Sequence, residues 1–149
     1  MDMKITSPAF NHNERIPSRH TCDGENINPS LLISGVPREA VILVLIVDDP
    51  DAPMGNWTHW TVWNVPAETK EIPEGSVPMG AVEGMTSFGK PGYGGPCPPG
   101  GTHRYFWKLF GLDIALHLDR TASKDDLESS MHGHVIASAE LLGLYGREK

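Results

Sequence analysis

The segment Val41–Pro50 reads VILVLIVDDP and carries the strongest structural signal in the chain. Its first seven residues, Val41–Val47, form an unbroken apolar run rich in β-branched side chains, which predicts a strand buried on both faces. The run leads directly into Asp48 and Asp49, so both aspartates lie at the C-terminal end of this strand. Because strand-end loops on a rigid scaffold commonly carry functional side chains, the sequence predicts a site at this edge of the sheet.

Two further segments predict long strands rich in aromatic residues. Trp57–Val65 alternates so that His59 shares one face with Trp57 and Trp63, and Tyr105–Leu112 contains four aromatic side chains. Weaker strand signals lie at Met3–Ser7, Leu31–Ser34, Glu71–Ile72 and Val77.

The C-terminal third contains one helix signal and one ambiguous segment. Thr121–Met131 predicts a helix, with Thr121 or Ser123 as its N-cap and three acidic residues early in the segment, where the helix dipole favours negative charge. The composition of His134–Tyr145 suits a helix, whereas its alternation suits a strand, and both interpretations stay open. Many strands with abundant turns and one or two short helices predict a mainly β protein, an antiparallel β-sandwich or barrel.

Composition and charge narrow the class of protein. The 149 residues are 39% hydrophobic and 21% charged with a net charge of -7, which predicts one globular domain over residues 1–149. An acidic surface argues against nucleic acid as a partner. No apolar run approaches the roughly 20 residues that a membrane-spanning helix requires, so we expect no integral membrane association. The N-terminus lacks a signal-peptide pattern, and we expect a cytoplasmic protein.

Two cysteines, Cys22 and Cys97, are too few for a disulfide framework. The expected cytoplasmic location favours two reduced thiols. Both residues lie in turn-rich segments, however, so pairing between them stays open.

The loop after the first strong strand reads Asp49-Pro50-Asp51-Ala52-Pro53. The prolines restrict its backbone, and a restricted loop suits a carboxylate held in a defined place. An aspartate at a strand end is equally often a turn former. We also expect one X-Pro bond of this loop to be cis, since cis proline is typical of tight turns.

Two histidines border loops rich in proline and glycine. His59 follows the Asp-Pro loop, and His103 follows Gly92–Gly101, whose backbone N–H groups could hold an anion. Together with an aspartate, two imidazoles can bind an anion such as phosphate, or can bind a metal as a two-histidine, one-carboxylate set. His132-Gly133-His134 also has spacing suited to metal ligands, although closing the preceding helix is the interpretation that we favour.

The combination of these motifs resembles the phosphatidylethanolamine-binding protein family, which includes the Raf kinase inhibitor proteins. The resemblance rests on the Asp-Pro-Asp-Ala-Pro loop, Trp57-Thr58-His59-Trp60, and Gly101-Thr102-His103-Arg104-Tyr105 before an aromatic strand. Two more segments, Thr21–Gly24 and Gly92–Pro99, resemble the compact bacterial and archaeal branch.

The resemblance implies a β-sandwich with a small anion pocket at one end, and it implies that His134–Leu142 is a strand. The implied ligand-binding residues are Asp49, His59, His103, Tyr105, Pro98, Pro99 and Gly101. The implied loop-shaping residues are Asp51, Pro50 and Pro53.

Three functions of different classes follow from these observations. We favour a non-enzymatic protein, without a cofactor or metal, that binds a phosphate-type anion or a phospholipid head group such as phosphoethanolamine. The alternative is an inhibitor of a serine protease or kinase. A metal-dependent enzyme built on Asp49, His59 and His103 is a weaker third hypothesis. The oligomeric state stays open, and the resemblance allows a homodimer.

Overall fold

The central strand of the protein is the one that the apolar run predicts. The computed structural model describes residues 2–147, so the predicted domain boundaries at 1 and 149 lie outside the described residues. The strands are β1 (Lys4–Thr6), β2 (Glu14–Arg15), β3 (Leu31–Ser34), β4 (Ile42–Asp49), β5 (Trp57–Pro66), β6 (Glu71–Ile72), β7 (Val82–Glu83), β8 (Thr102–Leu112) and β9 (Val135–Gly146). A 3-10 turn covers Ser18–His20, and α1 is the helix Lys124–Met131.

The strands form two sheets in residues 2–147. The larger sheet has the order β2-β9-β8-β4-β5-β7, and the smaller has the order β1-β3-β6. Neighbours pair antiparallel except for β2 and β9, which make a short parallel pair. The predicted mainly β, two-sheet fold is therefore confirmed.

All eight residues of β4 are buried, which confirms the predicted burial on both faces for Ile42–Val47, whereas Val41 lies outside the strand and is 50% exposed. Leu43, Leu45 and Val47 face a core that both sheets share, whereas Val44 and Ile46 face a second core on the outer side of the larger sheet. Burying one such side chain fully contributes about 1.5–3 kcal/mol. The strand is apolar throughout because both of its faces are covered.

Helix α1 covers the second core. Leu127 and Met131 face the sheet, and Ser123 is the N-cap, forming reciprocal hydrogen bonds with Asp126. The helix therefore begins at the later of the two predicted caps. Thr121 lies in the preceding turn, where its backbone N–H donates to Asp119.

The ambiguous C-terminal segment is a strand. β9 pairs with β8 from Thr102 opposite Gly146 to Leu112 opposite Val135. In this long ladder, β8 supplies the backbone hydrogen-bond partners that a helix would otherwise supply internally. Tertiary pairing therefore overrides the helical propensity of alanine and leucine. The strand implied by the family resemblance is confirmed, and it extends to Gly146.

Three smaller expectations need correction. The strand predicted from Tyr105 begins at Thr102, so His103 lies within β8 rather than in the preceding loop. Val77 is not in a strand, and the edge strand is Val82–Glu83 instead. No peptide bond in residues 2–147 is cis, so the predicted cis proline is wrong. In the turn after β4, Gly55 has a φ of 106°, a backbone angle that favours glycine.

Candidate functional site

A cavity of about 210 Å³ lies at the edge of the larger sheet where β4 ends and β5 and β8 begin. The strands are antiparallel, and Asp49 at the end of β4 pairs with Trp57 at the start of β5. The cavity is lined by Asp49, Ala52, Pro53, Met54, Trp57, His59, Phe88, Cys97, Pro98, Pro99, His103 and Tyr105. The structure thus brings together most of the residues that the sequence singles out.

Three of the predicted residues are not part of this lining. Gly101, which was implied as a ligand-binding residue, lies in the exposed turn before β8 at a φ of 70°. Pro50 and Asp51 belong to the loop that closes one side of the cavity. Their loop-shaping role stays a prediction.

The buried pair Asp49–His103 forms the polar floor of the cavity. His103 Nδ1 lies 2.6 Å from Asp49 Oδ2, and the two residues are only 7% and 3% exposed. A carboxylate can only accept, so Nδ1 carries the proton and the ring presents Nε2 at its other end. The other carboxylate oxygen of Asp49 accepts the backbone N–H of Asp51 at 2.7 Å.

An aspartate–arginine pair, Asp51 and Arg104, holds the loop beside the Asp49–His103 pair. Both carboxylate oxygens of Asp51 accept from the Arg104 guanidinium, at 2.9 Å and 2.8 Å, and Oδ2 also accepts the Arg104 backbone N–H. The guanidinium lowers the pKa of Asp51 to about 2. Two neighbouring residues of β8 therefore bind two residues of the Asp-Pro loop, which fixes the position of Asp49.

His59 reaches the cavity through a β-bulge. Val47 pairs with Trp60, but the next residue, Asp48, pairs with Thr58, so His59 is an extra residue in β5. The shift reverses the alternation, and Trp60 packs in the shared core on the same side as His59. The prediction that His59 shares a face with Trp63 is therefore wrong, because Trp63 packs in the second core.

The His59 ring is held by a backbone carbonyl and by aromatic side chains. Its Nδ1 donates to the Gly94 carbonyl oxygen at 2.7 Å, and the ring meets Phe88 and Tyr105 edge-on at centroid distances of 5.4 Å and 5.2 Å. Burial lowers the pKa of His59, since the surroundings solvate an imidazolium poorly. At neutral pH the ring is therefore uncharged, with its lone pair on Nε2.

The Tyr105 ring lies beside both histidines, with its centroid 5.2 Å from that of His59 and 6.4 Å from that of His103. Burial, followed by the negative charge of Asp49, raises the pKa of Tyr105. The phenol therefore stays protonated at any physiological pH and offers an O–H donor.

The remaining wall of the cavity is apolar. This wall is formed mainly by Trp57, Phe88, Met54 and three prolines. Neither lysine nor arginine occurs among the lining residues of the described chain. Trp57, Phe88 and Met54 are functional candidates that sequence reasoning missed. Phe88 offered a signal, since it is an aromatic residue within a short turn between Ser87 and Gly89.

A disulfide bond joins Cys22 to Cys97, which lines the cavity. The expectation of reduced thiols is therefore wrong. That expectation rested on a cytoplasmic location, so the disulfide also weakens the case for this location. The cytoplasmic location stays a prediction. With a sequence separation of 75, the chain-entropy relation gives a stabilisation of about 4–5 kcal/mol.

Two glycines let the chain pass close to neighbouring segments beside this disulfide. A Cβ on Gly95 would lie 2.2 Å from the His20 carbonyl oxygen, and a Cβ on Gly94 would lie 2.4 Å from the Phe88 ring. Only glycine permits this approach, which also places the Gly94 carbonyl against His59.

Other polar groups singled out along the sequence lie away from the cavity. Asp48 points to the opposite side of the sheet, where Lys108 and Lys124 approach it at 3.2 Å and 3.8 Å. His134 pairs with Asp113 at 2.9 Å, and His132 follows α1 directly. Within residues 2–147, no three or more histidine, cysteine, aspartate or glutamate residues are arranged to hold a metal ion.

Comparison with known proteins identifies the family. The family profile described as phosphatidylethanolamine-binding protein matches residues 6–146. The chain belongs to the phosphatidylethanolamine-binding protein family. A UPF0098 protein of Methanothermobacter thermautotrophicus is 51% identical over 150 residues, which cover 97% of this chain and 99% of the relative. A UPF0098 protein of Pyrococcus horikoshii is 48% identical, covering 99% of this chain and 78% of the relative.

Solved structures of bacterial members of the family share the fold. A phosphatidylethanolamine-binding protein homologue of Chlamydia trachomatis aligns with a TM-score of 0.95 at 41% identity, covering 99% of each chain. Escherichia coli YbcL, described as a new member of the mammalian family, aligns with a TM-score of 0.93 at 33% identity, covering 99% of this chain and 100% of YbcL. The resemblance to the bacterial and archaeal branch is therefore confirmed. Among the described residues, no helix has the length and apolar character needed to cross a bilayer.

Proposed function

We propose that this member of the family is a non-enzymatic protein that binds a phosphate-type anion or a phosphorylated head group in the cavity at the end of β4. The observation that carries the proposal is the buried Asp49–His103 pair at the floor of the cavity. When a ligand arrives, His103 can take up a proton on Nε2 and donate to an oxyanion while Asp49 balances its charge.

The surrounding groups support binding over catalysis. Tyr105 offers a second donor, and the apolar wall removes water from around a polar contact, which strengthens it. The described part of the lining contains neither serine nor threonine, and its one cysteine, Cys97, is held in a disulfide. The pair therefore lacks the nucleophile that such a dyad activates in hydrolases.

Titration of isotope-labelled protein with phosphoethanolamine at pH 6 tests the proposal, with the histidine ring signals as the readout. We expect saturable shifts at His59 and His103 that persist when a chelator is present. His103→Ala should weaken binding about 10- to 150-fold, which corresponds to losing a charge-assisted hydrogen bond of about 1.5–3 kcal/mol. The matched control is His117→Ala, because His117 is exposed and does not line the cavity.

Two results would contradict the proposal. The first is an absence of shifts at both rings at millimolar ligand. The second is unchanged affinity in a folded His103→Ala protein. A response that the chelator abolishes would instead favour the metal-dependent hypothesis.

A further inference from the structure

The two histidines of the cavity present different chemistry to a ligand. His103 has a carboxylate partner at Nδ1 and so can carry a proton on both nitrogens. His59 has a backbone carbonyl at Nδ1. Because a carbonyl only accepts, the Nδ1 of His59 is the protonated nitrogen, and Nε2 of the neutral ring bears a lone pair.

The surroundings of His59 keep this ring neutral. Phe88 and Tyr105 pack against it in T-shaped arrangements, and the residue is 4% exposed. Burial lowers its pKa, as the site geometry leads one to expect. His59 therefore acts as a hydrogen-bond acceptor, which is the opposite of what a simple anion pocket requires.

The charges of the cavity also favour a ligand that can donate a hydrogen bond to His59. Among the lining residues within 2–147, Asp49 is the only formally charged side chain when both histidines are neutral, and both of its oxygens already accept hydrogen bonds within the protein. A fully deprotonated oxyanion would place an oxygen against the lone pair of His59 Nε2, and no lysine or arginine of the described lining offsets the repulsion. A ligand that keeps one proton can donate to Nε2 instead, while its other oxygens accept from Tyr105 and from protonated His103.

We infer that the cavity selects an oxyacid that retains a proton, namely the monoanion of a phosphate monoester, over the phosphate dianion and over sulfate esters. This inference rests on the proposed function and names the ligand form that the site takes. A sulfate monoester has the same size and the same single charge as a phosphate monoanion, but it has no proton to donate. The difference between the two ligands therefore isolates the acceptor role of His59.

The test compares phenyl phosphate with phenyl sulfate on the disulfide-bonded wild-type protein, by NMR titration between pH 5.5 and 8. At pH 5.5 we expect phenyl phosphate to bind at least tenfold more tightly than phenyl sulfate. Above the second pKa of a phosphate monoester, about 6, its affinity should fall about tenfold per pH unit as the dianion replaces the monoanion. The sulfate ester keeps one charge throughout, so its profile reports the titration of the protein alone and serves as the correction.

A pair of variants tests whether His59 is responsible. In His59→Asn, the shorter asparagine side chain can still donate an amide N–H to the Gly94 carbonyl oxygen, but the acceptor nitrogen Nε2 of the histidine is removed. The preference for phosphate should then fall to about threefold or less. His134→Asn is the control, since His134 also has an Nδ1 hydrogen bond but lies outside the cavity lining, and the preference should be unchanged.

The outcomes separate this inference from the proposed function. Equal affinity for the two esters at pH 5.5, or tighter phosphate binding at pH 8, would overturn the inference while leaving the anion-binding function intact. Binding of neither ester at any pH would overturn both. The wild-type comparison decides the question even if His59→Asn does not fold.

Discussion

The Asp49–His103 pair allows a sharp prediction because the chain contains a second pair of the same chemistry on its surface. Asp49 and His103 are buried, whereas the side chains of Asp113 and His134 are 45% and 40% exposed. In both pairs the histidine Nδ1 lies within hydrogen-bond distance of an aspartate oxygen, at 2.6 Å and 2.9 Å. The substitutions Asp49→Asn and Asp113→Asn therefore make the same chemical change in two environments.

We expect Asp49→Asn to lower the free energy of unfolding by about 1.5–3 kcal/mol, the contribution of a hydrogen bond to a charged group. The asparagine oxygen still accepts from the Asp51 backbone N–H, so its amide N–H₂ faces His103. His103 must then carry its proton on Nε2, which avoids a stranded buried charge and the larger loss of about 3–5 kcal/mol. Asp113→Asn should cost under about 1 kcal/mol, since water screens an exposed pair.

Urea unfolding at pH 7 with the disulfide intact measures both changes. With a slope of about 2 kcal/mol per molar urea, the midpoint of Asp49→Asn should fall by about 0.7–1.5 M, and that of Asp113→Asn by under about 0.5 M. Long-range ¹H–¹⁵N NMR should show the His103 proton moving from Nδ1 to Nε2 in Asp49→Asn. Equal losses in the two variants, or a proton that stays on Nδ1, would refute the assigned role of the buried carboxylate.

Three further predictions concern the backbone, the helix and pH. Gly95→Ala should destabilise the fold by more than about 2 kcal/mol, because its Cβ would meet backbone oxygen at 2.2 Å, whereas Gly100→Ala, in open space, should cost under about 0.5 kcal/mol in the same urea assay. Ser123→Ala should cost about 1 kcal/mol by removing the N-cap of α1, and Ser129→Ala on its exposed face should be close to neutral in thermal unfolding. Because the folded-state pKa of His59 lies below its unfolded value, the unfolded chain takes up the proton first, and the free energy of unfolding should fall as pH drops below 6.5. His59→Asn should flatten this pH dependence between pH 7.5 and 5.5. An unchanged slope in the variant would contradict the prediction.

Local patterns in the sequence predicted the main strands and the helix. The apolar run of β4 requires two covered faces, and the structure supplies a core on each side. Ser123 was one of two predicted caps because a hydroxyl can accept from the free N–H groups at the start of a helix, and in the structure it accepts from the Asp126 backbone N–H. These features depend on neighbours within a few residues, so periodicity and capping chemistry are sufficient to find them.

The components of the site were also visible in the sequence, but their arrangement was not. Asp49, His59, His103 and Tyr105 stand in motifs beside restricted loops, and all four line one cavity. That His103 pairs with Asp49, while His59 pairs with the Gly94 carbonyl, depends on segments 54 and 35 residues apart in sequence. No local pattern distinguishes these partners.

By itself, the sequence of this protein determined its main strands β4, β5 and β8, its family and the residue types at the cavity. Tertiary structure alone decided the bulge that turns His59 inward, the pairing of Cys22 with Cys97 and the strand state of β9. Each of these follows from the register between segments that are distant along the chain. A one-residue shift in that register exchanges the two faces of a strand, and the amino acids of a single strand do not specify the shift.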